Sequence, residues 1–96
     1  MRIEIDGAAI RSEADLHEFL SRALDFGPYY GANLDALWDR LSTDVERPVD
    51  VIWREADFSR RVLGESEFAK IRDLLLRVQS QDESIGWPDR FTVTFA

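Results

Sequence analysis

Three short segments of this chain alternate apolar and polar residues, and helical spacing fills the stretches between them. Ile3 and Ile5 alternate with Arg2, Glu4 and Asp6. Val49, Val51 and Trp53 alternate with Asp50, Ile52 and Arg54, and Phe91, Val93 and Phe95 with Thr92 and Thr94. A period of two puts one set of side chains on a single face of a strand. Strands separated by helices imply parallel pairing through right-handed crossovers. A parallel sheet covered on both faces reads as unbroken apolar runs, so this alternation predicts one face at least partly open to water. The expected fold is a two-layer α/β domain with a three-stranded parallel sheet, spanning 1–96 as one unit. A chain of this size buries roughly 65% of its unfolded surface, enough for one core without staples. The sequence has no cysteine, so neither disulfides nor thiolate metal ligands are available.

Between the strands, Ser12 and Asp15 resemble a capping box, and Leu16, Phe19, Leu20, Ala23 and Leu24 follow at helical spacing. This predicts a first helix over about 13–25. Gly27-Pro28-Tyr29-Tyr30-Gly31 cannot extend it, because proline lacks the amide hydrogen and the glycines favour turns. Asn33 is a good N-cap for a second helix carrying Leu34, Leu37 and Leu41 on one stripe and ending near Asp44. Residues 56–63 read as a short helix. Ser66 is the expected cap of a longer one with Phe68, Ile71, Leu74, Leu75 and Val78 on its apolar face, and 79–90 reads as a polar connection.

The start of the chain alternates charge and isoleucine, unlike the continuous apolar run of a secretory signal, so a cytoplasmic location is expected. No stretch approaches the roughly 20 apolar residues of a spanning helix, and no membrane partner is expected. The formal net charge of −7 repels phosphate backbones, which argues against nucleic acid and for a basic protein as partner.

The negative charge is concentrated. Residues 25–46 hold Asp25, Asp35, Asp39, Asp44 and Glu46 against Arg40 alone. At about 100° per residue the leucine stripe lies within about 60° of arc, while Asp35 and Asp39 fall about 40° apart on the far side, with Trp38 at the rim. Asp35 has an ordinary structural explanation, since a carboxylate in the first turn favours the positive end of the helix dipole. Asp39 lies one turn deeper, where that benefit fades, and like charges at i,i+4 cost roughly 0.2–0.5 kcal/mol. A cationic partner would explain it. Tyr29 and Tyr30 form an aromatic loop beside this helix, with Tyr30 expected to pack beneath and Tyr29 to be presented. Trp53 and Trp87 read as packing residues.

The string Tyr29-Tyr30-Gly31, Asn33-Leu34-Asp35-Ala36-Leu37-Trp38-Asp39 resembles the barstar family of ribonuclease inhibitors. Ile10-Arg11-Ser12, Asp15-Leu16-His17, Pro48 and Trp53-Arg54 extend the resemblance, which is dense over 1–54. It implies a parallel three-stranded sheet with packed helices, and a 1:1 complex with an extracellular guanyl-preferring microbial ribonuclease. The second helix and the loop before it would enter the enzyme's active site. By that similarity Asp39 stands in for the substrate phosphate, Asp35 pairs with a second basic group, and Tyr29 stacks on an active-site side chain. Gly31, Asn33, Trp38, Ser42, Val45 and Glu46 complete the footprint, and Arg47-Pro48 is expected to be cis. The chain departs from the family where Asp44 replaces a tryptophan, where Arg77 aligns with an acidic contact, and in a longer connection before Phe91. Those departures imply a nuclease differing from barnase at its rim.

Two other readings compete. An enzyme would use Asp35 and Asp39 as acid and base or as ligands for a hard cation, but the further ligands such an ion needs are not identifiable. The sole histidine, His17, lacks an evident serine or cysteine nucleophile and reads as structural. No catalytic residue, metal or cofactor is therefore expected. The alternative binding role is an immunity or antitoxin protein for a basic toxin that is not a ribonuclease.

Overall fold

The alternating segments form β1 (Arg2–Asp6), β2 (Val49–Arg54) and β3 (Phe91–Phe95) in a computed structural model describing residues 1–96. The strands pair in parallel in the order β1-β2-β3, with Ile3 opposite Val51 and Val51 opposite Val93. One face is buried and the other carries mostly exposed residues in all three strands, as the alternation requires. Helices α1 (Glu13–Ala23), α2 (Leu34–Asp39), α3 (Ala56–Leu63) and α4 (Glu65–Ile85) complete the fold.

A core of 19 buried apolar residues joins Ile3, Ile5, Val49, Val51 and Phe91 of the sheet to Leu16, Leu20, Leu37, Leu41, Ile71, Leu75 and Val78 of the helical layer. Burying each of these large side chains contributes roughly 1.5–3 kcal/mol. Trp53 is fully buried, edge-on to Phe68 at 5.5 Å, and its indole N–H donates to Ser59 Oγ. Ser59 in turn donates to the carbonyl of Gly7, tying α3 to the 3-10 turn that follows β1.

Helix α1 ends two residues before the expected boundary, with Asp25 in the left-handed region at φ 55°. The expected cap at Ser66 is replaced by Gly64. At φ 93° this glycine ends α3 and opens α4 in one step, so no extended residue is left to cap at Ser66. The expected connection over 79–90 is also corrected, because α4 runs on through Ile85. Gly86, left-handed at φ 81°, closes the helix by donating to Asp82 and Glu83 carbonyls, as a glycine past a helix end commonly does.

That extension places Asp82 and Gln79 beside β3. The Phe91 N–H donates to Asp82 Oδ2 at 2.7 Å and the Val93 N–H to Gln79 Oε1 at 2.9 Å. Two amides on the outer edge of β3 are thereby satisfied, which blunts the strand as a template for pairing with another chain. The Arg47–Pro48 bond is cis, as the resemblance implied.

Candidate functional site

Asn33 starts α2 in the expected manner. Its Oδ1 accepts from the Ala36 N–H at 2.8 Å while its own backbone is extended. Leu37 and Leu41 are buried, and Asp35 and Asp39 point to solvent. The helix does not stop at Asp39. It widens into a π turn over Arg40–Asp44, where the Val45 N–H reaches back to the Arg40 carbonyl at 3.2 Å. Ser42 Oγ donates to the Trp38 carbonyl at 2.6 Å and Thr43 Oγ1 donates to the Asp39 carbonyl, a side-chain-to-backbone pattern that loosens the last turn of a helix. These bonds fix the backbone of Trp38 and Asp39 and leave the Asp39 carboxylate free.

Arg40, the one cation in this acidic segment, is turned away from the two aspartates. Its Nη1 donates to the Phe26 carbonyl at 2.7 Å, its guanidinium lies over the Phe26 ring, and its Nε approaches Asp44 at 3.6 Å. Asp35 and Asp39 consequently make no ion pair within the chain. No third histidine or carboxylate joins them in a group that could hold a metal.

The two tyrosines divide as expected. Tyr30 packs on Phe26 at 4.7 Å, and its hydroxyl lies 2.6 Å from His17 Nδ1. The other imidazole nitrogen, Nε2, is 2.8 Å from Glu13 Oε2. The neighbouring Glu67 carboxyl, opposed by burial and aided by His17, holds Glu13 below its usual range. An ionised carboxylate can only accept, so Nε2–H donates to Glu13 while Nδ1 pairs with the Tyr30 hydroxyl. Burial, helped by the charge of Glu13 and opposed by Arg40, pushes the Tyr30 hydroxyl up to about 12. His17, 2% exposed with both nitrogens occupied, therefore anchors the loop to α1 and is not presented for chemistry. Tyr29, next in the chain to this anchor, is 92% exposed. A large aromatic side chain held out from a pinned loop offers contact area at low entropic cost.

Gly31, Asn33, Asp35, Asp39 and Glu46 are exposed, while Trp38, Ser42 and Val45 are half-buried, and all lie along this one loop and helix. Trp38 is not a free surface. The Arg77 guanidinium from α4 lies 4.9 Å above its ring and covers it with positive charge. The spacing of Arg77 on the helical period carries no sign of that stacking. Sequence reasoning also missed the Arg47–Asp82 pair. Arg47 Nε and Nη2 donate to the two oxygens of Asp82 at 2.8 and 3.1 Å, with side chains 8% and 1% exposed, and Nη1 donates to the Val45 carbonyl. An aspartate on the stripe Ile71, Leu75, Val78 was the available signal. The largest cavity, about 540 Å³, lies between the end of β1 and α1 and includes none of these residues.

A family model described as Barstar (barnase inhibitor) matches residues 1–94. The chain belongs to the barstar family. A Bacillus subtilis (strain 168) relative, named "Putative ribonuclease inhibitor YrdF", is 43% identical over 63 residues, which are 66% of this chain and 69% of that protein. The match to the barstar family extends through α4 and into β3, beyond the dense string at 29–39. No helix is long and apolar enough to cross a membrane.

Proposed function

We propose that this barstar-family chain is a cytoplasmic inhibitor of a secreted, guanyl-preferring ribonuclease, acting as one folded unit over 1–96 in a 1:1 complex. One observation carries the reading: two solvent-facing carboxylates, Asp35 and Asp39, have no cation of their own on a helix flanked by exposed Tyr29. A ribonuclease active site must gather cations to hold the RNA phosphate, and such a site accepts a fixed carboxylate in its place. Asp39 takes that position, Asp35 pairs with a neighbouring basic group, and Tyr29 stacks against the active-site wall. Gly31, Asn33, Trp38, Ser42, Val45 and Glu46 surround them. The family description and the name of the relative support a ribonuclease as the partner.

The test is titration of RNA cleavage by barnase and other secreted guanyl-preferring ribonucleases. Inhibition is expected to saturate at one inhibitor per enzyme for at least one of them. Full activity of every enzyme at a large excess of inhibitor would overturn the proposal.

Charge also sets the kinetics. Complementary potentials raise association toward 10⁸–10⁹ M⁻¹s⁻¹ at low salt. Raising ionic strength from about 10 to 150 mM shortens the Debye length from roughly 30 to 8 Å. Association is expected to slow at least about tenfold over that range, with dissociation little changed. Stopped-flow mixing measures both, and a salt-independent association rate would remove electrostatic steering from the account.

A further inference from the structure

Trp87 was expected to pack inside, yet it is 43% exposed, because Gly86 ends α4 and swings the chain out of the helix. Exposure of so large an apolar ring is unusual in a residue that is mostly buried on average. The backbone of its turn is held. Arg90 Nε donates to the Trp87 carbonyl at 2.6 Å, and Asp82 holds both Arg47 and the first amide of β3 beneath the turn. Ile85, 51% exposed, continues the apolar stripe of α4 past the edge of the core beside it.

The indole forms one wall of a shallow cavity of about 370 Å³, whose other wall is Ser42, Thr43 and Val45. Ser42 lies one turn beyond Trp38 and Asp39, so the cavity continues the proposed inhibitory face. Asp89, exposed and without an ion pair, lines it as well. The guanidinium of Arg47, which also lines it, is neutralised by Asp82. An indole beside the Asp89 carboxylate suits the aliphatic stem and cationic head of an arginine or lysine, through cation–π and charge attraction together.

We propose that Trp87 and the 42–45 segment form a second contact lobe that receives a basic side chain from the rim of the inhibited ribonuclease. This rests on the inhibitor reading above. The Arg47–Asp82 and Arg90–Trp87 bonds hold the backbone beneath the lobe, so docking needs little ordering of the main chain.

The test uses the ribonuclease inhibited most strongly among barnase and its secreted guanyl-preferring relatives. Hydroxyl-radical footprinting of the wild-type protein, read by mass spectrometry, follows Tyr29 and Trp87 in the same sample. Water exclusion at an interface should lower oxidation of both at least about fivefold in the complex. Trp87→Ala should weaken binding at least about tenfold, mainly through faster dissociation, with an unchanged unfolding midpoint. Trp87→Phe should recover part of that loss. Protection of Tyr29 with Trp87 oxidised at its free rate would overturn the second lobe and leave the inhibitor reading standing. If no ribonuclease is inhibited and neither residue is protected, both fall. Concentration-dependent protection of Trp87 without enzyme, with a dimer in sedimentation, would assign the patch to a second copy of this chain and overturn the proposal.

Discussion

Asp39→Ala is expected to weaken ribonuclease binding by at least about 2 kcal/mol, roughly 30-fold, and by more than Asp35→Ala. Removing this carboxylate leaves the enzyme's phosphate-binding cations buried and unpaired, which costs more than the net worth of the pair. The substitution leaves the backbone anchor intact, because Ser42 and Thr43 bond to the carbonyls of residues 38 and 39. Asp35 sits in the first turn after the Asn33 cap, where the helix dipole already compensates part of its charge. The free protein should respond in the opposite sense. Asp39→Ala relieves the i,i+4 repulsion with Asp35, so folding stability should be unchanged or higher by a few tenths of a kcal/mol. Calorimetric titration and urea unfolding of both alanine variants separate these effects. Wild-type binding within threefold by Asp39→Ala would contradict the assignment of its role.

The second large effect is on stability. Asp82→Ala is expected to cost about 3–5 kcal/mol, since it leaves the Arg47 guanidinium buried without its partner. The Phe91 amide loses its acceptor as well. Against a typical total of about 5–15 kcal/mol, this brings the folded state close to its limit. Exchanging both charges, as Arg47→Met with Asp82→Leu, should cost less than Asp82→Ala alone, because the burial penalty disappears with the attraction. Burial pushes the Asp82 carboxyl up, but the Arg47 hydrogen bonds, the Phe91 N–H and nearby Arg90 together hold it below its usual value. A depressed folded-state value means that this stabilisation is present above about pH 4, the unfolded carboxyl range, and is lost as pH falls through the lower folded value. Urea unfolding at pH 7 and pH 3 should show the wild type losing more stability to acid than Asp82→Ala. Equal losses would contradict the pairing as the source.

The strands were legible because Ile3, Ile5, Val49, Val51, Trp53, Phe91 and Val93 alternate strictly, and a one-residue slip would turn every one of them to water. The acidic helix was legible from Asn33 through Asp39, where cap, leucine stripe and carboxylates fall on separate arcs. What failed was the C-terminal stretch. Gly86-Trp87-Pro88 carries the stop signal of a helix, but the polar run from Gln79 concealed that α4 was still in progress. Asp82 looked like a loop residue for the same reason, although it sits on the apolar stripe as the partner of an arginine 35 positions earlier. Arg77 over Trp38 and the π turn at 40–44 depend on how α2 and α4 pack together and on Ser42 and Thr43 bonding backward. Local periodicity contains neither.

The proposed blockade of the active site by the acidic helix is tested most directly by competition. With the ribonuclease inhibited most strongly, the apparent dissociation constant of the complex is measured at increasing concentrations of a guanosine monophosphate that occupies the active site. It should rise in proportion to the nucleotide, with a slope set by the nucleotide's own affinity for the enzyme. A dissociation constant that stays the same at saturating nucleotide would show both bound together and would contradict the account.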